Sequence, residues 1–464
     1  MATSPSAPPA AGRAAADPEV EAVHAAALDG ALLWPRTYAA YQRYAAMLDD
    51  AAAAHALRRS RLAALLHHAV RNVPVYRERG RHRAAPADPA EFLATFPLRS
   101  KQQLQARFAD HCDDELRPEQ SYSVHTSGTT GIPFTFLTDQ HHAVHLAALN
   151  LALEERETAG GVFHRRILEL YDARHHGWFE FTSTARGFAR VGSGTLRGTE
   201  DALRATVARI REFRPDSVTG LPSQCVEFVD LVAELGLAMP PAPAAVHTTS
   251  ELLTPAARAR IEEGFQAPVR DTYAMREMGA IAAECAFGTR HVMDERLWVE
   301  VVDDDGHPVA DGKQGEIVIT NLMNRVMPFI RYRTGDLGAL RPAEGPCACG
   351  RTSDVLQLTA GRSNWAIELP GGTKLAVLTL TRLIRQFPVE RYQLVKRRTD
   401  LIEALVRPLP ACRTEDLRAM EELLRATCRQ SDSSVELRLR TVGSHDFLST
   451  GSRKQVDFVD LTDR

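Results

Sequence analysis

The amino-acid sequence predicts an α/β protein with a large multi-layer N-terminal domain, built on mixed and parallel sheets, and a small mobile α+β C-terminal domain. First, β-prone segments alternate with helical segments from residue 165 to residue 275. Second, this pattern changes to hairpins after Leu297, and third, the last stretch of about a hundred residues has an alternation of its own. Such alternation predicts a layered domain with a largely parallel sheet, and 464 residues exceed what one compact core holds.

The first part of the chain predicts a leader and then helices. Residues 1–17, "MATSPSAPPAAGRAAAD", have no apolar core and predict a disordered leader. The following segment is rich in Ala, Leu and Arg, which favour helix, and Pro74 interrupts it. Ser100 is then expected to cap the N-terminus of a further helix.

The middle of the chain predicts the α/β core. Four segments are predicted as strands: "RRILELYD", "SVTGLP", "AAVHTTSE" and "VRDTYAM". Four are predicted as helices: "DQHHAVHLAALNLALEERETAG", "TEDALRATVARIREFRP", "SQCVEFVDLVAELGL" and "TPAARARIEEGF". Thr254 is expected to cap the last of these helices. Beyond it, "WVEVVDDDGHPV" and "GEIVITNL" predict antiparallel strands around an Asp-Gly turn.

A domain boundary is predicted at "GRSNW", residues 361–365. It separates a large domain, residues 18–361, from a small C-terminal domain, residues 362–464. The small domain is expected to have a β/α alternation of its own, in the segments "LAVLTLTRLIRQF", "YQLVKRR", "DLIEALVRP", "TEDLRAMEELLRATC" and "VELRLRTV".

The bulk composition excludes several functional classes. A net charge of −3 and an isoelectric point of about 6.6 give no electrostatic case for binding nucleic acid or an anionic membrane. No apolar run is long enough to span a bilayer, and no signal peptide is apparent. Seven cysteines without a signal sequence predict a reducing, cytoplasmic setting.

The segment "HTSGTTGIPFTF", residues 125–136, is typical of a phosphate-binding loop. Glycines let backbone N–H groups approach an anion closely, and hydroxyls add neutral donors. For such a run alone, an ordinary turn is the alternative. A P-loop ATPase is not favoured, because its loop closes with Gly-Lys-Ser/Thr and "GTTGIP" has no such lysine. The residues expected to bind phosphate are Ser127, Gly128, Thr129, Thr130 and Gly131.

Six motifs occur in a fixed order along the chain: "TSGTTGIP", "TTSELLTPAARARIEEGF", "DTYAMREMG", "MPFIRYRTGD", "GRSN" and "TGSRKQVDF". Together they resemble the core motifs of the adenylate-forming enzyme superfamily, which includes acyl- and aryl-coenzyme A synthetases and adenylation domains. The segments "NVPVYRERG", "AAECAFGTRHVMDE" and "CACGRT" resemble the phenylacetate–coenzyme A ligase group in particular. The resemblance extends from about residue 60 to residue 460, and its motifs are specific jointly rather than singly.

The resemblance implies ATP-dependent activation of a carboxylic acid, of the aryl or aryl-acetic type, to an acyl-adenylate with release of pyrophosphate. The acyl group would then pass to an acceptor, and the thiol of coenzyme A is favoured. An amide synthetase and a carrier-protein acyl-loading ligase are alternatives on the same chemistry. The resemblance also suggests a homodimer. A hypothesis from another class is a catalytically decayed nucleotide- or acyl-binding protein.

The resemblance implies an adenine site formed by two motifs. Tyr273 would lie flat against the adenine ring, and Asp271 would accept from its exocyclic amine. Thr272 lies between them in the same motif and is expected to belong to the same nucleotide site. Ser250 and Glu251 form the turn that resembles the adenine-site loop of the family.

Further residues are implied for the ribose, the metal and catalysis. Asp336 would bind the ribose hydroxyls with its two carboxylate oxygens, assisted by Arg362; a salt-bridged turn is the alternative for both. Glu277 would bind Mg²⁺ beside the phosphates. Lys454 would contact the substrate carboxylate, and Arg276 would supply positive charge near the phosphates; ordinary surface residues are the alternative for these two.

Four positions depart from the family pattern. Ile132 stands where a lysine is usual, Arg276 where Ser or Thr is usual, Asn364 where the hinge has Asp or Lys, and Ser452 where the catalytic lysine is usual. These departures support the decayed-protein hypothesis. Retention of the metal-binding glutamate, the ribose aspartate and the hydroxyl loop together favours catalysis.

A structural zinc site is predicted from four residues, Cys285, His291, Cys347 and Cys349. Three thiolates and one imidazole form a closed tetrahedral set, which is typical of structural zinc. The one-residue spacing of the last two cysteines is less usual than two, and free buried thiols are the alternative.

Two groups of residues are expected to have purely structural roles. Arg331 and Arg333 are predicted to pair with acidic neighbours. The remaining four cysteines are predicted to pack in the interior: Cys112, Cys225, Cys412 and Cys428.

Overall fold

The computed structural model describes most of the chain from Trp34 onward. The described ranges are 34–48, 50–77, 87–116, 121–125, 134–156, 166–171, 178–182, 187–192, 199–251, 253–362, 366–443, 446–448 and 458–462. The predicted leader, residues 1–17, lies outside these ranges. No helix in them has the length and hydropathy needed to cross a bilayer.

The helices agree with the sequence signals that predict them. They are α1 Trp34–Met47, α2 Ala51–Asn72, α3 Pro89–Ala94, α4 Lys101–Ala106, α5 Gln140–Arg156, α6 Glu200–Phe213, α7 Pro222–Glu234, α8 Pro255–Phe265, α9 Val377–Ile384 and α10 Thr414–Ser431. Helix α2 ends at Asn72, just before Pro74, as expected. The predicted caps are confirmed, because Ser100 forms a capping box with Gln103 and Thr254 accepts from the backbone N–H of Ala257 at 3.1 Å.

The strands account for the predicted β segments. They are β1 Tyr122–His125, β2 Thr135–Thr138, β3 Arg166–Tyr171, β4 Trp178–Thr182, β5 Gly187–Gly192, β6 Ser217–Gly220, β7 Ala245–Thr249, β8 Val269–Met275, β9 Gly279–Glu284, β10 Arg290–Val292, β11 Leu297–Val302, β12 Gln314–Asn321, β13 Tyr332–Arg341, β14 Val355–Arg362, β15 Ala366–Glu368, β16 Lys374–Ala376, β17 Val389–Arg398, β18 Leu401–Pro408, β19 Glu436–Thr441 and β20 Phe458–Asp460. The predicted Asp-Gly turn is present, because the N–H of Gly306 donates to the carbonyl of Asp303 at 3.1 Å.

The main sheet has twelve described strands in the order β11-β12-β13-β14-β10-β9-β8-β7-β6-β3-β5-β4. The run β8-β7-β6-β3-β5 is parallel, and the other pairs are antiparallel. The predicted mixed and parallel α/β architecture is therefore confirmed. The parallel run follows from the strand–helix alternation, because a helical crossover returns the chain to the same end of the sheet.

Two apolar cores form around this sheet. Helices α6, α7 and α8 pack on the parallel strands, with Phe228 and Phe265 stacked at a ring distance of 5.7 Å. The second core joins α1 and α5 to the antiparallel strands, with Phe136, Ile281 and Phe329 fully buried. Burial of such large apolar side chains provides the main stabilisation of the sheet.

The C-terminal part has its own sheet and core. Strands β19-β18-β17-β20 form a four-stranded sheet against α9 and α10. Arg407 on β18 reaches the larger part of the chain, where its guanidinium lies 3.0 Å from Asp230 on α7. Asp230 also binds Arg260 of α8 at 2.9 Å. One carboxylate on α7 therefore connects the C-terminal sheet to two helices of the large core.

The structural arginines of "RYRTGD" behave as predicted. Arg331 lies 3.2 Å from a carboxylate oxygen of Glu300, and Arg333 donates through Nε to Glu316 at 2.9 Å. Among the cysteines predicted to pack in the interior, three are buried in apolar clusters, namely Cys112, Cys225 and Cys428. The prediction is wrong for the fourth, Cys412, which is only half-buried in the turn before α10.

A half-buried acidic pair lies between α2 and the antiparallel strands. Arg58 is 3.4 Å from Asp294 and 3.1 Å from Asp354. Burial raises the pKa of Asp294 to about 7; the charges of Asp354 and Glu295 add to this rise, and Arg58 opposes it. This pKa is above the value in the unfolded chain, so between about pH 4 and pH 7 the folded protein binds a proton that the unfolded chain has released. The free energy of unfolding therefore falls as pH rises through that window.

The variant Asp294→Asn is therefore expected to gain stability relative to the native protein as pH rises from about 4 to about 7. The gain is at most about 1.4 kcal/mol per pH unit, because the neutral amide does not ionise inside the protein. Melting temperatures of both proteins across this range measure the difference. A difference that stays constant with pH would contradict the assigned titration.

Candidate active site

The carboxyl ends of β7 and β8 bring several predicted residues together. In their parallel register, Thr248 lies opposite Asp271 and Thr249 opposite Thr272. The hydroxyl of Thr249 donates to the backbone carbonyl of Thr272 at 3.0 Å. In open α/β sheets, ligands bind outside the carboxyl ends of the strands. This edge is therefore the candidate nucleotide site.

The turn after β7 has an unusual backbone. Ser250 has a φ of 71°, in the left-handed region that non-glycine residues adopt infrequently. Its neighbour Glu251 accepts a hydrogen bond from the backbone N–H of Ser223 at 3.1 Å, in the first turn of α7. A carboxylate at a helix N-terminus is favourable because it meets free N–H groups. Glu251 thus anchors this turn, and the nucleotide contacts of both turn residues stay predictions.

Two residues implied for adenine and ribose meet directly. The hydroxyl of Tyr273 donates to Oδ2 of Asp336 at 2.8 Å, although 63 positions separate them in the chain. Tyr273 belongs to β8, and Asp336 belongs to β13. Arg362 lies opposite Asp336 in the register of β13 and β14, and its side chain lies outside the described part of the structure. The two nucleotide-binding motifs are therefore adjacent in space.

Glu277 occupies the tight turn between β8 and β9 and is 4% exposed. The hydroxyl of Tyr332 donates to its Oε1 at 2.9 Å, and Nδ2 of Asn321 donates to its backbone carbonyl at 3.3 Å. The turn ends at Gly279, which has a φ of +66°. A Cβ at this position would lie 2.6 Å from a side-chain carbon of Leu146, so glycine is required here. Tyr332 thus holds the carboxylate of Glu277, and Asn321 holds its backbone.

Asp271 is engaged by other side chains. Its Oδ1 accepts from the hydroxyl of Thr248 at 2.8 Å, and its Oδ2 accepts from Arg290 at 2.7 Å. Arg290 also binds Glu284 at 2.9 Å. Burial raises the pKa of Asp271, and the charge of Arg290 opposes this rise. These contacts favour a structural role, and the adenine contact of Asp271 stays a prediction.

Arg276 is exposed beside the strand that leads into the phosphate loop. Burial raises the pKa of Tyr122, and the positive charge of Arg276 acts in the opposite direction. Tyr122 begins β1, four residues before the loop that starts at Thr126. The role of Arg276 beside the phosphates stays a prediction.

Several predicted residues lie outside the described part of the structure, namely Ser127, Gly128, Thr129, Thr130, Gly131 and Lys454. The strands that flank the loop form an antiparallel hairpin in which His125 lies opposite Thr135. Nδ1 of His125 is 2.8 Å from the hydroxyl oxygen of Thr135. The two ends of the loop are thus held close together.

Sequence analysis missed the residues that hold Glu277. Tyr332 lies within "RYRTGD", and Asn321 ends β12. Asn321 is fully buried, and its amide lies 3.4 Å from Nε2 of His142, which is also buried. The position of Tyr332 inside a recognised motif was an available signal. No sequence pattern indicated Asn321, because its partners are distant in the chain.

The four residues predicted to bind zinc come together. Their ligand atoms all lie within 4.8 Å of one another. Sγ of Cys285 is 4.0 Å from Sγ of Cys347, and Sγ of Cys349 is 3.4 Å from Nε2 of His291. A zinc tetrahedron built on its usual bond lengths has S–S edges of about 3.8 Å and S–N edges of about 3.6 Å. The donor set therefore fits zinc in both chemistry and spacing.

Comparisons with known proteins identify relatives of this chain. A family model described as AMP-binding enzyme matches residues 21–325. Phenylacetate-coenzyme A ligase of Escherichia coli (strain K12) is 31% identical over 324 residues, which cover 67% of this chain and 71% of that protein. Phenylacetate-coenzyme A ligase of Thermus thermophilus is 26% identical over 367 residues, covering 75% of this chain and 79% of that protein.

A solved structure shares the fold. It is 2-hydroxyisobutyryl-CoA ligase in the postadenylation state, with 18% sequence identity and a TM-score of 0.62. The match covers 89% of this chain and 90% of that chain. At this identity, the similarity shows the common architecture of the two proteins.

Proposed function

This chain belongs to the AMP-binding enzyme family, and from that premise we propose that it activates a carboxylic acid of the aryl or aryl-acetic type and transfers the acyl group to coenzyme A. The chain is an adenylate-forming ligase. A carboxylate oxygen attacks the α-phosphorus of ATP, the bond to pyrophosphate breaks, and an acyl-adenylate forms. The thiol sulfur then attacks the acyl carbon, the thiol loses its proton, and AMP leaves.

The hydrogen bond between Tyr273 and Asp336 is the observation that carries the proposal. It joins the motif implied for adenine to the motif implied for ribose at 2.8 Å. A nucleoside with its base against Tyr273 would present its ribose to Asp336. A carboxylate suits a vicinal diol because its two oxygens accept two hydrogen bonds. Arg362 would assist at the ribose.

Glu277 is the proposed ligand for Mg²⁺. A carboxylate oxygen is the kind of donor that Mg²⁺ prefers, and this metal usually keeps bonds to substrate phosphates as well. The ion, when bound, neutralises phosphate charge and so supports displacement at phosphorus. The chain contributes one carboxylate, and the hydroxyl of Tyr332 restricts its orientation.

The phosphates and the acid have further proposed contacts. The phosphate loop would bind the β- and γ-phosphates through backbone N–H groups and hydroxyls. Arg276 would supply positive charge near this loop, in place of the lysine absent at Ile132. Lys454 would contact the carboxylate of the acid. These roles rest on the motifs and on the position of Arg276 beside Tyr122.

The relatives guide the choice of acid and acceptor. The two curated relatives described above are phenylacetate-coenzyme A ligases, which favours an aryl-acetic acid and coenzyme A for this chain. An amide synthetase or a carrier-protein acyl-loading ligase would share the first half-reaction and differ in the acceptor. A decayed binding protein would bind ATP without forming an adenylate.

We also propose a structural zinc ion held by Cys285, His291, Cys347 and Cys349. This site is closed, because four protein ligands complete a tetrahedron and leave no position for substrate. Cys285 lies in the turn between β9 and β10, His291 lies on β10, and the other two cysteines lie in the turn before β14. The ion would therefore stabilise the sheet rather than take part in the chemistry.

The test is acid-dependent exchange of labelled pyrophosphate into ATP, with a panel of aryl, aryl-acetic and aliphatic acids. We expect exchange with an aryl or aryl-acetic acid and none without acid. Adding coenzyme A, ammonium or a simple amine to the same acid then identifies the acceptor from the product. Protein that binds ATP yet shows no exchange with any acid would favour the decayed binding protein.

A further inference from the structure

The side chain of Glu277 has a neighbour that neither the motifs nor the relatives assign. The hydroxyl of Tyr332 donates to its Oε1 at 2.9 Å, and the two residues are 2% and 4% exposed. A hydrogen bond to a carboxylate is stronger than one between neutral groups, and burial strengthens it further. This contact therefore restricts the orientation of the carboxylate.

Tyr332 is itself held rigidly. Its ring packs edge-on against Phe329 at 5.3 Å, and Phe329 packs in turn against Phe134 and Phe136. Its backbone bridges to Arg99. Phe134 and Phe136 directly follow the phosphate loop in the chain. One aromatic cluster thus extends from Tyr332, whose hydroxyl binds Glu277, to the residues that follow the phosphate loop in the chain.

The backbone of Glu277 is fixed by a second chain of contacts. Asn321 donates through Nδ2 to the carbonyl of Glu277 at 3.3 Å and lies 3.4 Å from Nε2 of His142. Its Oδ1 accepts from the N–H of Met323 at 3.0 Å. Burial lowers the pKa of His142 to about 3, so the ring is neutral. Since Nε2 accepts from the amide, Nδ1 carries the proton and donates to Thr138 at 2.8 Å.

We propose that Tyr332 is a positioning residue for Glu277, which orients the carboxylate for the metal ion of the nucleotide complex. This inference rests on the proposed function. Tyr332 occupies Oε1, and we assign Oε2 to the metal. The hydroxyl donates to Oε1 and so restricts rotation of the carboxylate. Its loss should weaken metal-dependent nucleotide binding and leave metal-independent binding unchanged.

The variant Tyr332→Phe tests this, because it keeps the ring and removes only the hydroxyl. The ligand is α,β-methylene-ATP, which cannot release pyrophosphate, and its Kd is measured by calorimetry with Mg²⁺ and with EDTA. We expect the Kd with Mg²⁺ to rise about 10-fold and the Kd with EDTA to stay within about 2-fold. The Mg²⁺ concentration for half-maximal pyrophosphate exchange should rise by a similar factor.

Tyr44→Phe is the matched control. Tyr44 is also 2% exposed, and its hydroxyl is 2.8 Å from Nδ1 of His145 rather than bonded to Glu277. Tyr44→Phe should lower the melting temperature about as much as Tyr332→Phe does. Its nucleotide Kd should keep the native dependence on Mg²⁺. If the nucleotide Kd depends on Mg²⁺ equally in Tyr332→Phe and in the native protein, this inference is wrong and the proposed function still stands. Native protein without acid-dependent exchange would overturn the proposed function, and the inference with it.

Discussion

Replacing Glu277 with glutamine is expected to lower acid-dependent pyrophosphate exchange by about 100- to 1,000-fold, which is the loss typical of removing one preorganised electrostatic group from an active site. Glutamine has nearly the same shape and can still accept from Tyr332. Its oxygen carries no net charge, so it binds Mg²⁺ much more weakly. The initial rate of exchange at saturating ATP and acid measures the effect.

A control substitution of the same kind is Glu263→Gln on α8. The side chain of Glu263 is 73% exposed and pairs only weakly with Arg260, at 3.8 Å. This variant should keep the native exchange rate. If Glu277→Gln exchanges pyrophosphate within about 3-fold of the native rate, Glu277 is not a ligand of the metal ion. If Glu277→Gln melts at the same temperature as the native protein, its loss of exchange does not come from unfolding.

Much of the fold could be predicted because local patterns and the final architecture agree. Thr254 and Ser100 cap helices as expected, and the strands "AAVHTTSE" and "VRDTYAM" become the adjacent parallel strands β7 and β8. These strands carry Thr249 and Tyr273, which belong to two of the motifs that indicated the nucleotide site. Helical crossovers bring successive strand ends to one edge.

The contacts that organise the site could not be predicted from local patterns. The hydroxyl of Tyr332 reaches Glu277 across 55 positions, and Asn321 reaches it across 44. Asp271 matched a nucleotide-binding motif, yet its oxygens are engaged by Thr248 and Arg290. Such pairings depend on sheet order and register, which the sequence of one strand does not specify.

The zinc set was easier to predict, because cysteine and histidine are unusual enough to be noticed as ligands. Spacing alone did not show that the turn at Cys285 meets the turn at Cys347. The meeting follows from the pairing of His291 on β10 with Val355 on β14. Arg351 reinforces it by donating to the backbone carbonyl of Val292 at 2.9 Å.

The variant Cys349→Ser is expected to lose bound zinc, from about one ion per chain to nearly none, and to melt roughly 5–10 °C below the native protein. A serine hydroxyl does not replace a thiolate on zinc, since it stays protonated. Loss of the ion leaves Cys285, His291 and Cys347 close together without a bridge. Plasma mass spectrometry of dialysed protein and a thermal melt measure the two effects.

Cys412→Ser is the control, because Cys412 is half-buried outside this cluster and should leave both quantities unchanged. The zinc site and the proposed nucleotide site use different residues of neighbouring strands. Exchange by Cys349→Ser at low temperature should therefore stay within about 3-fold of the native rate, whereas Glu277→Gln loses exchange and keeps zinc. Native protein without zinc, or a variant that retains it, would contradict the metal assignment. If Cys349→Ser loses zinc but keeps exchange, and Glu277→Gln keeps zinc but loses exchange, the zinc ion is structural and Glu277 acts in catalysis.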